Sequence, residues 1–297
     1  MIKTTSILAA ALMALAMVTA PASGQEAAAH ATPEIEKQPW SFGGVFGTYD
    51  KHQLQRGFQI FREVCAGCHS ARLLSFRNLA EHGGPEYSEE QVKALAAEYE
   101  VADPAAEGGV RPAVPADRWP SPFASEQEAR EAMGGALPPD FSVIAKARGI
   151  SQPFPWWILN YFTAYSEGGP DYIHALLTGY RDEVPEGVEV PEGMYYNEVF
   201  PGHAIGMAPP LADGLIAYAD PNFPQTVDQY ARDVSAFLMW VAEPHLVERK
   251  ETGFRVILFL ILFAGLMWFV KENIWAPVHH HNPSPEEVEA RRSRKGA

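Results

Sequence analysis

Apolar residues along this chain come mostly in short bursts broken by proline and glycine, and two stretches carry a sustained helical period. In residues 50–64, Leu54, Phe58 and Phe61, with Ile60 or Val64, recur three and four apart, and Asp50 stands before them as an N-cap. In residues 226–244, Val227, Tyr230, Val234, Phe237, Leu238 and Val241 repeat the spacing, with Thr226 as cap and Pro244 as the stop. Two further runs are apolar without a period, residues 7–19 and residues 254–270, the second extendable to Ile274 and Trp275. Shorter helices are predicted between these landmarks. Ser88 caps one reaching about Tyr99, with glutamates in its first turn to suit the helix dipole. Ser125 with Glu128 forms a capping box for another that ends at Gly134-Gly135. Asp140 or Ser142 caps a third that carries Arg148, and residues 171–179 form a fourth. Residues 25–36 read as a loose N-terminal segment. Residues 100–122, the aromatic stretch 151–169, residues 181–191 and most of 195–211 read as loops.

The two unpatterned runs set the domain organisation. Lys3 before residues 7–19, followed by Ala20-Pro21-Ala22 or Ala22-Ser23-Gly24, has the charge, apolar centre and small-residue site of a signal peptide over 1–24. The run is short for a span, which needs about 20 residues. Residues 254–270 meet that length with their flanks. Arg249, Lys250 and Glu251 bound them on one side, and Lys271 and Glu272 on the other, with Trp268 and Trp275 suited to the interface. Arg291, Arg292, Arg294 and Lys295 lie beyond, so the positive-inside rule places the C-terminus in the cytoplasm. The expectation is an exported domain over 25–248, one transmembrane anchor over 249–275 and a cytoplasmic tail over 276–297. The 25 prolines and 24 glycines predict a mainly α domain of short helices joined by long loops. The net charge of −14 excludes nucleic acid as a partner and suits a basic protein surface.

The candidate chemistry sits at the end of the first patterned helix, in Cys65-Ala66-Gly67-Cys68-His69, which holds the only two cysteines of the chain. Cys-x-x-Cys-His is the attachment signature of c-type haem, with one thioether per thiol and the histidine as an axial iron ligand. No βαβ pattern suggests a thioredoxin-like dithiol, and no second cysteine pair completes a zinc site. Covalent haem attachment agrees with export. The sixth ligand is left open by the residues alone. Met133, Met194, Met207, Met239 and Met267 are the methionines of the mature chain, and His52, His82, His174, His203 and His245 are rivals. Met207 ranks first because Pro209-Pro210 would stiffen its loop, although a methionine in such a place is by default a gap-filler. His279, His280 and His281 fall on the far side of the membrane and read as a solvated linker.

Several stretches in order now resemble the cytochrome c1 family, the haem subunits of cytochrome bc1 complexes, in its alphaproteobacterial form. They are Gln55-Arg56-Gly57-Phe58-Gln59 leading into the haem motif, Gly135 to Asp140 with Leu137-Pro138-Pro139-Asp140, Ala147-Arg148, Asp171-Tyr172, Leu176 to Tyr180, Met207-Ala208-Pro209-Pro210-Leu211, Asp233-Val234, Trp240 to Pro244, and the tail anchor. The resemblance implies a class I c-type cytochrome domain with long loop insertions. It implies one covalently bound haem c on Cys65 and Cys68, with His69 and Met207 on the iron. Arg148 would meet a propionate, with Tyr172 near the haem and Pro139 packed on it. It further implies a one-electron relay without a quinol site, in the ubiquinol–cytochrome c reductase. Electrons would come from the Rieske iron–sulfur protein and go to a soluble or tethered c-type cytochrome, beside cytochrome b, in a dimeric complex in the inner membrane. A stand-alone tethered carrier cytochrome is the alternative. Two departures carry expectations of their own. Gly206, where many relatives have a bulkier residue, would loosen the Met207 loop. The aromatic run from Phe154 to Tyr165 would steady an insert that some relatives close with a disulfide.

Overall fold

The computed structural model describes residues 35–149, 154–163, 165–279 and 284–295. The expected signal peptide, most of the 25–36 segment, and His280 and His281 lie outside them. The described chain is mainly helical: α1 (Lys51–Ile60), α2 (Glu89–Ala96), α3 (Glu126–Ala132), α4 (Ile144–Ala147), α5 (Trp156–Thr163), α6 (Gly168–Thr178), α7 (Val227–Ala242), α8 (Leu246–His279) and α9 (Pro285–Lys295). Two small antiparallel hairpins lie inside segments expected to be loop. They are β1 (Glu100–Ala102) with β2 (Val110–Pro112), and β3 (Tyr195–Tyr196) with β4 (Ala204–Ile205).

The core is the crossing of α1 and α7, the two patterned helices. Leu54, Phe58, Ile60 and Phe61 meet Tyr230, Val234, Phe237 and Trp240, all buried. Phe237 lies 5.7 Å from Phe58 and 5.5 Å from Phe61 between ring centroids. Full burial of each such ring is worth about 2–3 kcal/mol. The helices touch at Gly57, where a Cβ would stand 2.2 Å from the carbonyl oxygen of Asp233. Beside that contact the Arg56 guanidinium clamps the fully buried Asp233 carboxylate through Nε at 2.8 Å and Nη2 at 3.0 Å, and Tyr218 and Gln229 donate to the same carboxylate. A buried carboxylate is tolerable only with its oxygens occupied in this way.

Caps behave as expected at Asp50, Ser88 and Thr226, each of which accepts a first-turn N–H. Ser125 accepts the Glu128 N–H, but the Glu128 carboxylate takes the Ala124 N–H instead of that of Ser125, so the expected capping box is only half formed. Two other expectations are corrected. The helix carrying Arg148 is the single turn α4, entered at Val143 without a side-chain cap, because Asp140 and Ser142 bond elsewhere, as described below. The aromatic stretch 151–169 contains α5, and α6 begins at Gly168 rather than at Asp171. At the other end of the chain α8 runs 34 residues, about 51 Å at 1.5 Å per residue, ample for about 30 Å of hydrocarbon. Its residues 246–276 are long and apolar enough to cross a membrane, and its large apolar side chains from Phe254 to Trp275 are exposed.

Candidate haem-binding site

The haem motif begins where α1 changes pitch. Residues 61–65 form a π turn, in which the Ala66 N–H reaches the Phe61 carbonyl at 2.8 Å. Such wide turns occur often at functional sites. The chain then folds back, and the N–H groups of Cys68 and His69 both donate to the Cys65 carbonyl. The fold-back brings Cys65, Cys68 and His69 close along the chain, with the cysteines half-buried and His69 buried. Burial, with a smaller contribution from neighbouring Cys68, pushes the Cys65 thiol up to about 12. A dithiol oxidoreductase needs the opposite shift. A cavity of about 170 Å³ opens beside Cys68, bounded in part by Arg72, Phe123, Leu137 and Pro138.

His69 is oriented by the Leu137-Pro138-Pro139-Asp140 stretch. Its Nδ1 lies 2.9 Å from the Pro139 carbonyl oxygen. A carbonyl only accepts, so Nδ1 carries the proton and Nε2 keeps the lone pair. Burial holds the imidazole below its ordinary pKa, against the Pro139 bond, so the neutral form is the resting one. Phe141 stacks on the ring at 4.0 Å between centroids. The chain after His69 is laced to the same stretch. The Phe141 N–H donates to the Ser70 carbonyl at 2.7 Å, the Ser70 hydroxyl and the Arg72 N–H donate to Asp140 Oδ2 at 2.7 and 3.0 Å, and the Leu73 N–H donates to Ser142 Oγ at 2.9 Å. Burial opposes ionisation of Asp140. Donors from Ser142, Arg72 and Ser70 outweigh it and hold the carboxyl below its ordinary value.

The distant candidates are linked to one another, from Arg148 through Tyr172 and Tyr180 to the Met207 loop. Gly206, just before Met207, lies against Ala136, with 3.7 Å from a Cβ built there to the alanine methyl carbon. Met207 is half-buried, and its carbonyl accepts the Tyr180 hydroxyl at 3.1 Å. The β3–β4 pairing of Tyr195 with Ile205 holds the chain two residues earlier. The looseness expected from Gly206 is thus opposed at two points, the Tyr180 hydrogen bond and the β3–β4 pairing. Arg148 is exposed at the C-terminal end of α4, and its charge partly offsets the rise that burial imposes on the half-buried Tyr172 phenol. Tyr172 in turn adds to the larger effect of burial in raising Tyr180. The two helices approach closely because Gly169 has no side chain, and a Cβ there would stand 1.5 Å from the Ala145 carbonyl oxygen. Pro139 contributes its carbonyl, and its ring is exposed. Of the rivals, Met239 is buried in the core, Met194 is exposed, and His174 is bound through Nε2 to Asp228 at 2.9 Å.

Asp140, Phe141, Ser142 and Tyr180 are site residues that the sequence reading did not single out. Asp140 and Ser142 look like helix caps, Asp140 and Tyr180 give a signal through their places in quoted motifs, and Phe141 gives none.

The family model described as the Cytochrome C1 family matches residues 40–278. The chain belongs to this family. A "Cytochrome c1" of Blastochloris viridis is 48% identical over 270 residues, covering 90% of this chain and 93% of that protein. A "Cytochrome b/c1" of Bradyrhizobium diazoefficiens is 52% identical over 279 residues, covering 91% of this chain but 40% of that longer protein. A Candida albicans protein named "Cytochrome b-c1 complex catalytic subunit, mitochondrial" is 42% identical over 242 residues, covering 80% of this chain and 76% of its own.

Members of the family carry a covalently bound haem c. The donor set fits such a group. Two free thiols stand three residues apart, and a buried neutral imidazole has its proton fixed on Nδ1 and its lone pair on Nε2. The loop that carries the Met207 thioether is tied by its carbonyl to Tyr180, and Gly206 just before it lies near Ala136, next to the Leu-Pro-Pro-Asp stretch.

Proposed function

We propose that this chain is the cytochrome c1 subunit of a ubiquinol–cytochrome c oxidoreductase, which takes one electron from a Rieske iron–sulfur protein and passes it to a soluble or tethered c-type cytochrome. The observation that carries this reading is the His69 tautomer. An imidazole set to ligate through Nε2 is held by the Pro139 carbonyl, directly after a Cys-x-x-Cys whose two thiols are free. Cys65 and Cys68 hold the haem covalently, and His69 and Met207 bind its iron. Bound there, the haem would supply a one-electron couple, raised in potential by a His/Met pair relative to anionic ligation. The protein's own part is positioning. Pro139 and Phe141 fix the imidazole, Tyr180 fixes the Met207 loop, and the exposed Arg148 guanidinium is available to a propionate as a bidentate donor. Tyr172 lines the same side.

The haem domain, residues 25–248, lies in the periplasm, residues 249–275 of α8 span the inner membrane beside cytochrome b, and residues 276–297 are cytoplasmic, within a dimeric complex. Quinol oxidation belongs to the rest of that complex. Residues 182–189 are almost all exposed and include Asp182, Glu183, Glu186 and Glu189, which suits long-range attraction of a basic cytochrome. Rates of electron transfer to a basic acceptor fall with rising ionic strength if this is right, and a salt-independent rate removes the idea.

A redox titration with reduced-minus-oxidised spectra of wild type and Met207→Leu tests the site. A large drop in potential is expected, and an unchanged high potential excludes Met207 as ligand. Co-purification with a b-type haem subunit separates the complex subunit from a stand-alone carrier.

A further inference from the structure

Residues 41–48 make a closed loop at the junction of the globular domain and α8. The Thr48 N–H donates to the Ser41 carbonyl at 3.1 Å, and the Gly43 N–H donates to the Trp40 carbonyl at 3.0 Å. The loop is fastened to α8 at two points. Lys250 Nζ donates to the Phe42 carbonyl at 2.5 Å, and the Phe46 ring meets Phe254 edge-on at 5.6 Å. At its foot Phe42 and Tyr49 are buried in the core, so the loop is rooted at both ends. Yet its tip shows Val45 at 43% and Phe46 at 76% exposure. A groove of about 280 Å³ runs between the tip and the helix, with Val45, Phe46, Val247 and Phe254 as apolar walls and Lys250 and Arg255 as cations beside Glu251. Fixing two large apolar side chains outward costs stability in water, at about 25 cal/mol per Å² left uncovered. Among the described residues, none covers the exposed faces of Val45 and Phe46.

We infer that this loop is a second membrane contact: Val45 and Phe46 enter the interface of the bilayer that α8 crosses, and the groove takes a phospholipid. The inference rests on the reading of α8 as an anchor. Phe46 touches α8 at Phe254, beside Arg255, the last charge before the unbroken apolar run from Val256 to Val270, so the contact lies where charged side chains give way to hydrocarbon-facing ones. An aromatic at that level belongs to the interfacial belt. Lys250 lies one turn before it and Arg255 one residue after it, so both ammonium and guanidinium reach the level of lipid phosphates while their stems cover apolar surface. The one acid on the groove, Glu251, is bound by Arg255 at 3.1 Å, and the net charge of the groove is positive. A phosphodiester headgroup with acyl chains running down the Phe46 and Phe254 faces satisfies both its charge and its apolar walls. The contact would fix the domain's tilt on its single anchor, as a lone helix with a flexible joint would not.

The test places the photo-crosslinker p-benzoylphenylalanine at position 46 in the full chain, expressed in its own membranes and checked for covalent haem and carbonate-resistant membrane retention. Irradiation and mass spectrometry of the peptide carrying residue 46 are expected to show a mass shift of one phospholipid. An adduct confined to another polypeptide overturns the inference and makes the loop a subunit contact. Absence of any adduct in haem-loaded, membrane-retained protein overturns it as well and leaves the tip in water. Loss of membrane retention in the unmodified chain would instead refute the anchor on which the inference rests.

Discussion

The two sides of the haem site are built to different standards. On the His69 side, five short contacts join residues 69–73 to residues 139–142, and the ring is buried and stacked. On the Met207 side, the methionine is half-buried and its loop is held by one hydroxyl to one carbonyl and by the short β3–β4 pairing before it. A buried imidazole leaves little freedom to rotate, whereas a thioether on a loop has three rotatable bonds to settle. On the proposed ligation, covalent attachment and the histidine would define where a haem sits, and the methionine would be the part of the site that yields first to heat, acid or mutation.

The strongest way to break the contrast is to cut the lacing. Asp140→Ala leaves the Ser70 hydroxyl and the Arg72 N–H without their acceptor and removes the anchor of the Ser142 N–H at 2.9 Å. The expected loss is about 2–3 kcal/mol, from hydrogen bonds to a charged and partly buried acceptor, read from denaturant unfolding of the haem-loaded protein. The loss has a pH signature. The folded carboxyl lies below its ordinary 3.8, so its contribution is present above that pH and fades as pH falls through the lower folded value. The gap between wild type and Asp140→Asn should therefore close below about pH 3.8, and a gap that persists unchanged into that range would show that the carboxylate charge is not what stabilises the lacing.

Tyr180→Phe probes the weaker side. It removes one neutral hydrogen bond, worth about 1 kcal/mol, and leaves the phenyl ring in place. Global unfolding should move little. The methionine–iron absorbance should bleach at a temperature several degrees lower, and the potential should shift towards that of Met207→Leu without reaching it. Bleaching that coincides with global unfolding in both proteins would show the two sides to be equally braced.

How much of this was legible follows from what carries a period. The faces of α1 and α7, the long α8 and the Cys-x-x-Cys-His run are written in spacing, and the helices match them. The bonds between Asp140 and Ser70, and between Tyr180 and Met207, join positions 70 and 27 apart, and hydroxyl–carboxylate or hydroxyl–carbonyl pairing leaves no trace in spacing. Asp140 shows how the error arises. A side-chain oxygen that can cap a helix can equally bind N–H groups from a distant strand of chain, and the sequence before α4 reads the same in either case. The helix α5 was missed for another reason. Its run Trp156-Trp157-Ile158-Leu159 is apolar on all sides and therefore lacks the one-sided pattern that marks a helix on a core.

That same helix supplies the smallest expected effect. The aromatic run was expected to steady the insert by packing. Trp156 and Trp157 are instead 54% and 51% exposed, and it is Tyr165 that is tied in, donating its hydroxyl to Asp171 at 2.5 Å beneath Lys37. Asp171 also receives the Trp40 indole N–H at 2.7 Å and the Gln38 N–H at 2.9 Å, so the fastening passes from Tyr165 through one carboxylate to the N-terminal segment. Replacing both tryptophans by alanine should change the thermal midpoint of methionine–iron bleaching by less than about 0.5 kcal/mol equivalent, the range of ordinary surface substitutions. Tyr165→Phe should cost more than the two tryptophans together, because it removes a hydrogen bond to a buried carboxylate and they remove surface area that is half in water. The reverse order would mean that α5 braces the Met207 side after all, and that the weak side of the site has a support beyond Tyr180 and the β3–β4 pairing.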